Sequence, residues 1–152
     1  MTIKIRPATT DDIAGIFHVR THVRENHMSR DELTRAGITE AAVAGMIASQ
    51  PCAWVAVTGD AVTGDAVMGF SMVDLDEGSL FAAFVLPESE GQGIGRELVL
   101  LAEDALFARH PAAWLETGAA TRAAGFYRAL GWGNEQDIGG GDIRLEKRRP
   151  KG

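Results

Sequence analysis

Val85-Leu86-Pro87-Glu88-Ser89-Glu90-Gly91-Gln92-Gly93-Ile94-Gly95-Arg96 is the stretch whose reading decides the fold. The apolar run from Leu80 to Leu86 stops at a proline, alternating glycines follow, and an apolar-striped segment then runs from Arg96 to Arg109. Strand, glycine loop and helix start are predicted in that order. Glycines in such a loop let backbone N–H groups crowd round an anion, and the helix N-terminus adds about half a positive charge at the same spot. Gly91, Gln92, Gly93, Ile94, Gly95 and Arg96 are therefore candidates to cradle a pyrophosphate.

Two nucleotide-binding readings of this loop fit poorly. The dinucleotide fingerprint needs G-x-G-x-x-G near the start of a βαβ unit, with an acidic residue about 20 positions on. Here the spacing is G-x-G-x-G and lies past the middle of the chain. A P-loop ends in Gly-Lys-Ser/Thr, whereas this loop ends Gly95-Arg96-Glu97. The pattern Val-x-Pro followed by Gly-x-Gly-x-Gly-Arg instead resembles the acyl-CoA loop of the GNAT superfamily of N-acetyltransferases, whose signature is Gln/Arg-x-x-Gly-x-Gly/Ala. Gly93 and Gly95 fall on its glycine positions, and Glu90 stands where Gln or Arg is usual. A carboxylate beside a pyrophosphate is repulsive, so Glu90 is expected to point to solvent while its backbone contributes.

A second resemblance to the same superfamily is independent of the first. Leu115-Glu116-Thr117-Gly118 is followed by Ala123, Phe126-Tyr127, Leu130 and Gly131-Trp132. The superfamily's last strand–helix unit commonly reads Leu-Glu-Thr-Gly, then Ala-x-x-Φ-Tyr-x-x-Leu-Gly-Phe/Tyr/Trp, and only Ala120 departs, where Asn or Gln is frequent. Phe126 and Leu130 are four apart and read as a core stripe, with Gly131 suited to a left-handed helix stop.

The resemblance implies acetyl-CoA, or another short acyl-CoA, as co-substrate and direct transfer to an amine with no acyl-enzyme. A backbone N–H near Phe84 or Val85, where the fourth and fifth strands splay, would meet the charge developing on the thioester carbonyl. Tyr127 is the candidate acid for the departing thiolate, a phenol proton being close in acidity to a thiol's. Glu116 is the candidate to orient or deprotonate the amine, although a strand carboxylate serves equally well as a structural partner. Acceptor choice would rest on the first helices, which offer Arg20, His22, Arg24, Glu25, Asn26 and His27. A small-molecule, amino-acid-like amine is the leading expectation. Protein N-termini or lysines, and a non-catalytic acyl-CoA sensor, are the alternatives.

Outward from these motifs the chain reads as a single α/β domain over residues 1–152, with a GNAT-like mixed sheet of about six to seven strands flanked by about four to five helices. The expected order is β-α-α-β-β-β-α-β-α-β-β. Ile3 and Ile5 alternate as a first strand. Thr10-Asp11-Asp12 opens a helix with Ile13, Ile16, Phe17 and Val23 inward, and Ser29 and Thr39 cap further helical segments. Residues 53–58, 67–73, 79–86 and 113–117 read as strands, residues 93–109 and 121–130 as helices, and the chain from Trp132 as a closing hairpin. The tandem Gly-Asp-Ala-Val-Thr at residues 59–67 reads as a duplicated turn with no chemistry, and Lys147, Arg148, Arg149 and Lys151 as a solvated tail.

Composition narrows the partners. The net charge of −6 argues against nucleic acid and anionic membranes, and no apolar run is long enough to span a bilayer. A lone Cys52 fits a reducing cytoplasm and a small buried hydrophobe rather than a nucleophile. His18 and His22 are four apart, but the H-E-x-x-H arrangement is absent and no metal is expected. A homodimer is compatible with all of this and is not required by it.

Overall fold

The computed structural model describes residues 3–23, 28–59 and 66–150. Strands β1 (Ile3–Pro7), β2 (Ala53–Thr58), β3 (Ala66–Asp74), β4 (Ser79–Val85), β5 (Ala112–Gly118), β6 (Gly133–Gly139) and β7 (Asp142–Arg148) join in one sheet, ordered β1-β2-β3-β4-β5-β7-β6. The helices are α1 (Ile13–Arg20), α2 (Arg30–Arg35), α3 (Glu40–Ser49), α4 (Ile94–Phe107) and α5 (Arg122–Ala129). The mixed α/β expectation holds. Three helices precede β2 where the element order counts two, and Ser29 and Thr39 each cap one of them, as their positions predict. Each cap side chain accepts a first-turn backbone N–H, which answers one of the helix's orphan donors.

The sheet divides the core in two. Against one face, α4 and α5 bury Val99, Ala102, Leu106, Ala124 and Tyr127 on Leu80, Ala113 and Leu115. Against the other, α1 to α3 bury Ile16, Phe17, Val19, Leu33 and Val43 on Val55, Phe70 and Met72. Ser71, fully buried in β3, donates its hydroxyl to the Leu98 carbonyl of α4 at 2.9 Å and ties sheet to helix.

Every strand pair is antiparallel except β4–β5, which is parallel and in register at Ser79–Trp114 alone. The divergence beyond that point has a local cause. Met72 faces Ala82 and Val73 faces Leu80, so Phe81 is an extra residue on β4. Such a bulge bends its strand and breaks the alternation of side chains. Leu80 and Ala83 consequently pack toward α4, whereas Phe81, Ala82 and Phe84 face α1 and α3.

Of the basic C-terminal residues, Arg148 and Arg149 are exposed, but Lys147 is not part of a solvated tail. Lys147 lies on β7 and donates to buried Glu103 of α4 at 2.7 Å and to the Leu130 carbonyl at 2.8 Å. Trp132 donates its indole N–H to the same carboxylate at 3.1 Å. A buried carboxylate needs such donors to offset its lost hydration, and this set pins the last hairpin to α4. Arg149 donates to the His110 carbonyl at 3.0 Å. Lys151 lies outside the described residues, as does most of the duplicated Gly-Asp-Ala-Val-Thr turn.

Candidate active site

The glycine loop forms one wall of a cleft of about 490 Å³ between the N-terminus of α4, the end of β4 and α5. Gly91 and Gly93 have φ of +79° and +80°, a left-handed backbone that disfavours any residue with a Cβ. A Cβ built on either meets no atom within 4 Å, and both residues line the cleft. Gly93 is also the N-cap of α4 and provides no side-chain cap. The first-turn N–H groups of Ile94, Gly95 and Arg96 are thus left for an anion, with the helix dipole behind them. Gln92 sits in the turn between the two left-handed glycines.

Glu90 is exposed, as expected, but it is not free in solvent. Its carboxylate accepts from Arg122, the first residue of α5, at 3.3 Å across the mouth of the cleft. The repulsion expected of a carboxylate beside phosphate is thereby reduced, and a guanidinium joins the same rim. Arg122 was missed in the sequence, although a cation on the first turn of a helix opposes the dipole and so signals an anionic neighbour.

Phe84 and Val85 line the inner end of the cleft, where β4 has parted from β5. A ladder partner is missing along that edge of β4, so alternate backbone N–H groups there face the gap. Tyr127 reaches the same cleft from α5, only 8% exposed and edge-on to Trp132 at 6.2 Å. Phe126 and Tyr127 exchange the places that helical spacing suggested. Ala124 and Tyr127 turn into the core, while Phe126 is 37% exposed and forms cleft wall. The reason is tertiary: Trp132 is buried just past the helix and draws the Tyr127 side of α5 inward. Burial pushes the Tyr127 phenol well above its ordinary value of 10. It stays protonated at neutral pH, and no hydrogen bond to its hydroxyl occurs among the described residues. As the weaker acid beside a thiol, it suits hydrogen-bond donation to a thiolate better than outright proton loss.

Glu116 lies on the opposite face of β5 from Leu115 and Thr117, half exposed, and accepts from Arg144 of β7 at 3.3 Å. Arg144 also stacks on Trp114 at 4.1 Å. Glu116 is absent from the walls of the cleft. Asp74 accepts the N–H groups of Asp76 and Glu77 and so shapes the β3–β4 turn. Cys52 is buried, with its thiol pushed up by burial, which disfavours a thiolate. The His18 and His22 rings stack at 4.1 Å, and the described residues contain no cluster of potential metal ligands. Arg20 and His22 flank the end of α1, and Arg24, Glu25, Asn26 and His27 fall outside the described residues. No helix among the described residues is long and apolar enough to cross a membrane.

Comparison with known proteins gives this geometry a context. The sequence model of the acetyltransferase (GNAT) family matches residues 18–132 of the 152. Among solved structures, the chain is similar to the PaiA N-acetyltransferase of Thermoplasma acidophilum in complex with coenzyme A. The TM-score is 0.76 at 19% identity, over 98% of this chain and 100% of that one. It is also similar to yncA, a putative acetyltransferase from Salmonella typhimurium with its cofactor acetyl-CoA, with a TM-score of 0.69 at 15% identity over 100% and 96% of the two chains. For the ribosomal-protein-S18-alanine N-acetyltransferase of Escherichia coli the TM-score is 0.63 at 23% identity, covering 95% and 91%. At these identities the likeness is one of fold. No curated protein matches the sequence.

Proposed function

The chain belongs to the acetyltransferase (GNAT) family and is an N-acetyltransferase, and we propose that it passes the acetyl group of acetyl-CoA directly to the primary amine of a small, amino-acid-like molecule. Residues 1–152 act in this reading as one acetyltransferase domain. The observation that carries it is the continuity of the cleft, from the left-handed glycines at one end to Phe84, Val85 and Tyr127 at the other.

The cradle fits CoA. Its glycines leave room for phosphates, its helix N-terminus is uncapped, and Arg122 stands at the rim. Acetyl-CoA supplies the activated acyl carbon and the thiolate leaving group. The protein's residues do the rest. Gly91 to Arg96 hold the pyrophosphate through backbone N–H groups and so set the depth of the thioester. A backbone N–H at Phe84 or Val85, aimed into the β4–β5 gap, donates to the carbonyl oxygen as charge develops there. Tyr127 donates its hydroxyl to the sulfur. The C–N bond forms as the C–S bond breaks, the amine gives up one proton, and the thiolate gains one. Glu116, outside the walls of the cleft and steadied by Arg144, acts on the amine only by way of water, as the carboxylate that orients it or accepts its proton.

The test is thiol release from acetyl-CoA with a panel of small amines and amine-terminal peptides, beside calorimetric titration of CoA. Turnover with a small amine supports the reading. Binding without turnover would identify a sensor, and turnover with peptides alone would move the acceptor to proteins.

A further inference from the structure

A second cavity, of about 100 Å³, opens on the other side of β4. Its walls are apolar: Phe17 of α1, Val43 of α3, Phe70 and Met72 of β3, and Phe81 and Phe84 of β4. Among the described residues the charged group in its lining is Arg20, at the end of α1, whose guanidinium stacks over the Phe84 ring at 4.3 Å. Phe84 lines this cavity and the cofactor cleft alike, so the two spaces share a wall at the strand position where the acyl carbon is expected. The bulge at Phe81 makes this possible, since it turns Phe81, Ala82 and Phe84 to the same side.

We propose that this cavity is the acceptor site and selects an α-amino acid with an aliphatic side chain of about leucine size, the side chain among the phenylalanines and the carboxylate on Arg20. The inference rests on the acetyltransferase reading above and gives it a substrate class. Size argues for it, since an apolar cavity of about 150 Å³ takes benzene and one somewhat smaller suits a branched aliphatic chain. Charge argues for it too. A guanidinium at an apolar wall is poorly hydrated, and burial lowers its pKa although Glu32 raises it in part. Such a cation gains more from a carboxylate, which it can bind in bidentate fashion, than one in open water does. Glu32 faces it from α2, so an incoming carboxylate shares or displaces that interaction. A polyamine would bring its positive charges to the arginine and leave the phenylalanine walls unmatched. With the amino acid seated, its amine nitrogen attacks the thioester carbon. The N–C bond forms, the C–S bond breaks, one proton leaves the nitrogen and one reaches the sulfur.

The experiment compares L-leucine, glycine, 3-methylbutylamine, spermidine and a leucine-first peptide in the thiol-release assay, on the wild type, Arg20→Met and Phe81→Asp. Phe81 is 45% exposed, so its substitution spares the fold. L-Leucine is expected to exceed glycine, which lacks the side chain, and 3-methylbutylamine, which lacks the carboxylate, by more than about tenfold each in kcat/KM. Arg20→Met should raise the KM for leucine about tenfold or more with kcat little changed, and should abolish the preference over 3-methylbutylamine. Phe81→Asp should erode the preference over glycine. Titration of N-acetyl-L-leucine without cofactor should show the same loss in Arg20→Met, while acetyl-CoA affinity stays that of the wild type. A preference for spermidine or the peptide, or an unchanged leucine KM in Arg20→Met, overturns the proposal. Acetyl-CoA binding with no turnover of any of these amines overturns it and leaves the cofactor cleft standing. Failure to bind acetyl-CoA overturns the acetyltransferase reading on which it rests.

Discussion

Gly93→Ala, set beside Gly37→Ala, separates backbone strain from the loss of a phosphate cradle. The two glycines are matched: φ is +80° at Gly93 and +82° at Gly37, and a Cβ on either meets no atom within 4 Å. Neither substitution creates a clash, so the cost in the free protein is the left-handed backbone alone. That costs about 1–2 kcal/mol for an L residue, offset by about 0.4–1 kcal/mol from the stiffer unfolded chain. The net, about 1 kcal/mol, corresponds to a fall of about 2–4 °C in melting temperature for a domain of this size. Calorimetric unfolding should show that fall equally in both variants. CoA titration should not treat them alike. Gly93 lines the cleft, so its added methyl is expected to crowd phosphate oxygens that approach the backbone there and to weaken CoA about tenfold or more. The Gly37 methyl lies just beyond α2, outside the cleft, and should leave the affinity unchanged. Equal CoA affinity in the two variants would refute the cradle, whatever their stability.

Three further outcomes are expected. Tyr127→Phe should lower turnover about ten- to a thousandfold with acetyl-CoA affinity and melting temperature little changed, and a lower melting temperature with normal turnover would assign Tyr127 to packing alone. Glu90→Gln removes the carboxylate that occupies Arg122, so CoA should bind more tightly by a few tenths to about 1 kcal/mol, with a gain that shrinks in added salt; weaker binding would show that the pair holds the cleft open. For Asp12, burial pushes the carboxyl up, but the paired hydrogen bonds and charge of Arg6, at 2.8 and 2.9 Å, outweigh it and hold the pKa below 3.8. Its contribution is therefore present above pH 3.8 and lost as pH falls through the lower folded value; Asp12→Asn should cost about 2 kcal/mol at neutral pH, a deficit that narrows in urea titrations carried below that window.

What could be read in the sequence was whatever sits close together along it. The glycine spacing from Gly91 to Gly95, the caps at Ser29 and Thr39 and the run into α4 are local patterns with local causes, and they appear as expected. Contacts between distant positions gave no signal of that kind. Glu90 finds Arg122 and Glu103 finds Lys147 only once the sheet has formed, so the sequence shows neither the partner of the exposed acid nor the anchored place of the base. Phe126 and Tyr127 are adjacent on a short helix, where the spacing to Leu130 favours Phe126 as the inward residue, and Trp132 reverses the choice. Arg20 was visible as one polar residue among several, but the apolar cavity around it was not. Its walls come from α1, α3, β3 and β4.

The extra residue at Phe81 has a consequence for how this protein tolerates change in length. Insertions and deletions are ordinarily absorbed by loops, while strands keep their count. In β4 that expectation reverses. Removing Phe81 would leave Leu80, Ala82, Ala83 and Phe84 on the faces they now occupy, since the surplus residue is what the neighbouring strand skips. No cradle residue would be lost. Yet the straightened strand could run alongside β5 past Trp114, and the seam in the middle of the sheet would close. The shortened protein should be the more regular molecule, with slower amide exchange over residues 82–85 and no turnover. Stability alone favours the regular strand, and the acetyltransferase reading is what gives the irregularity at the centre of the sheet a use.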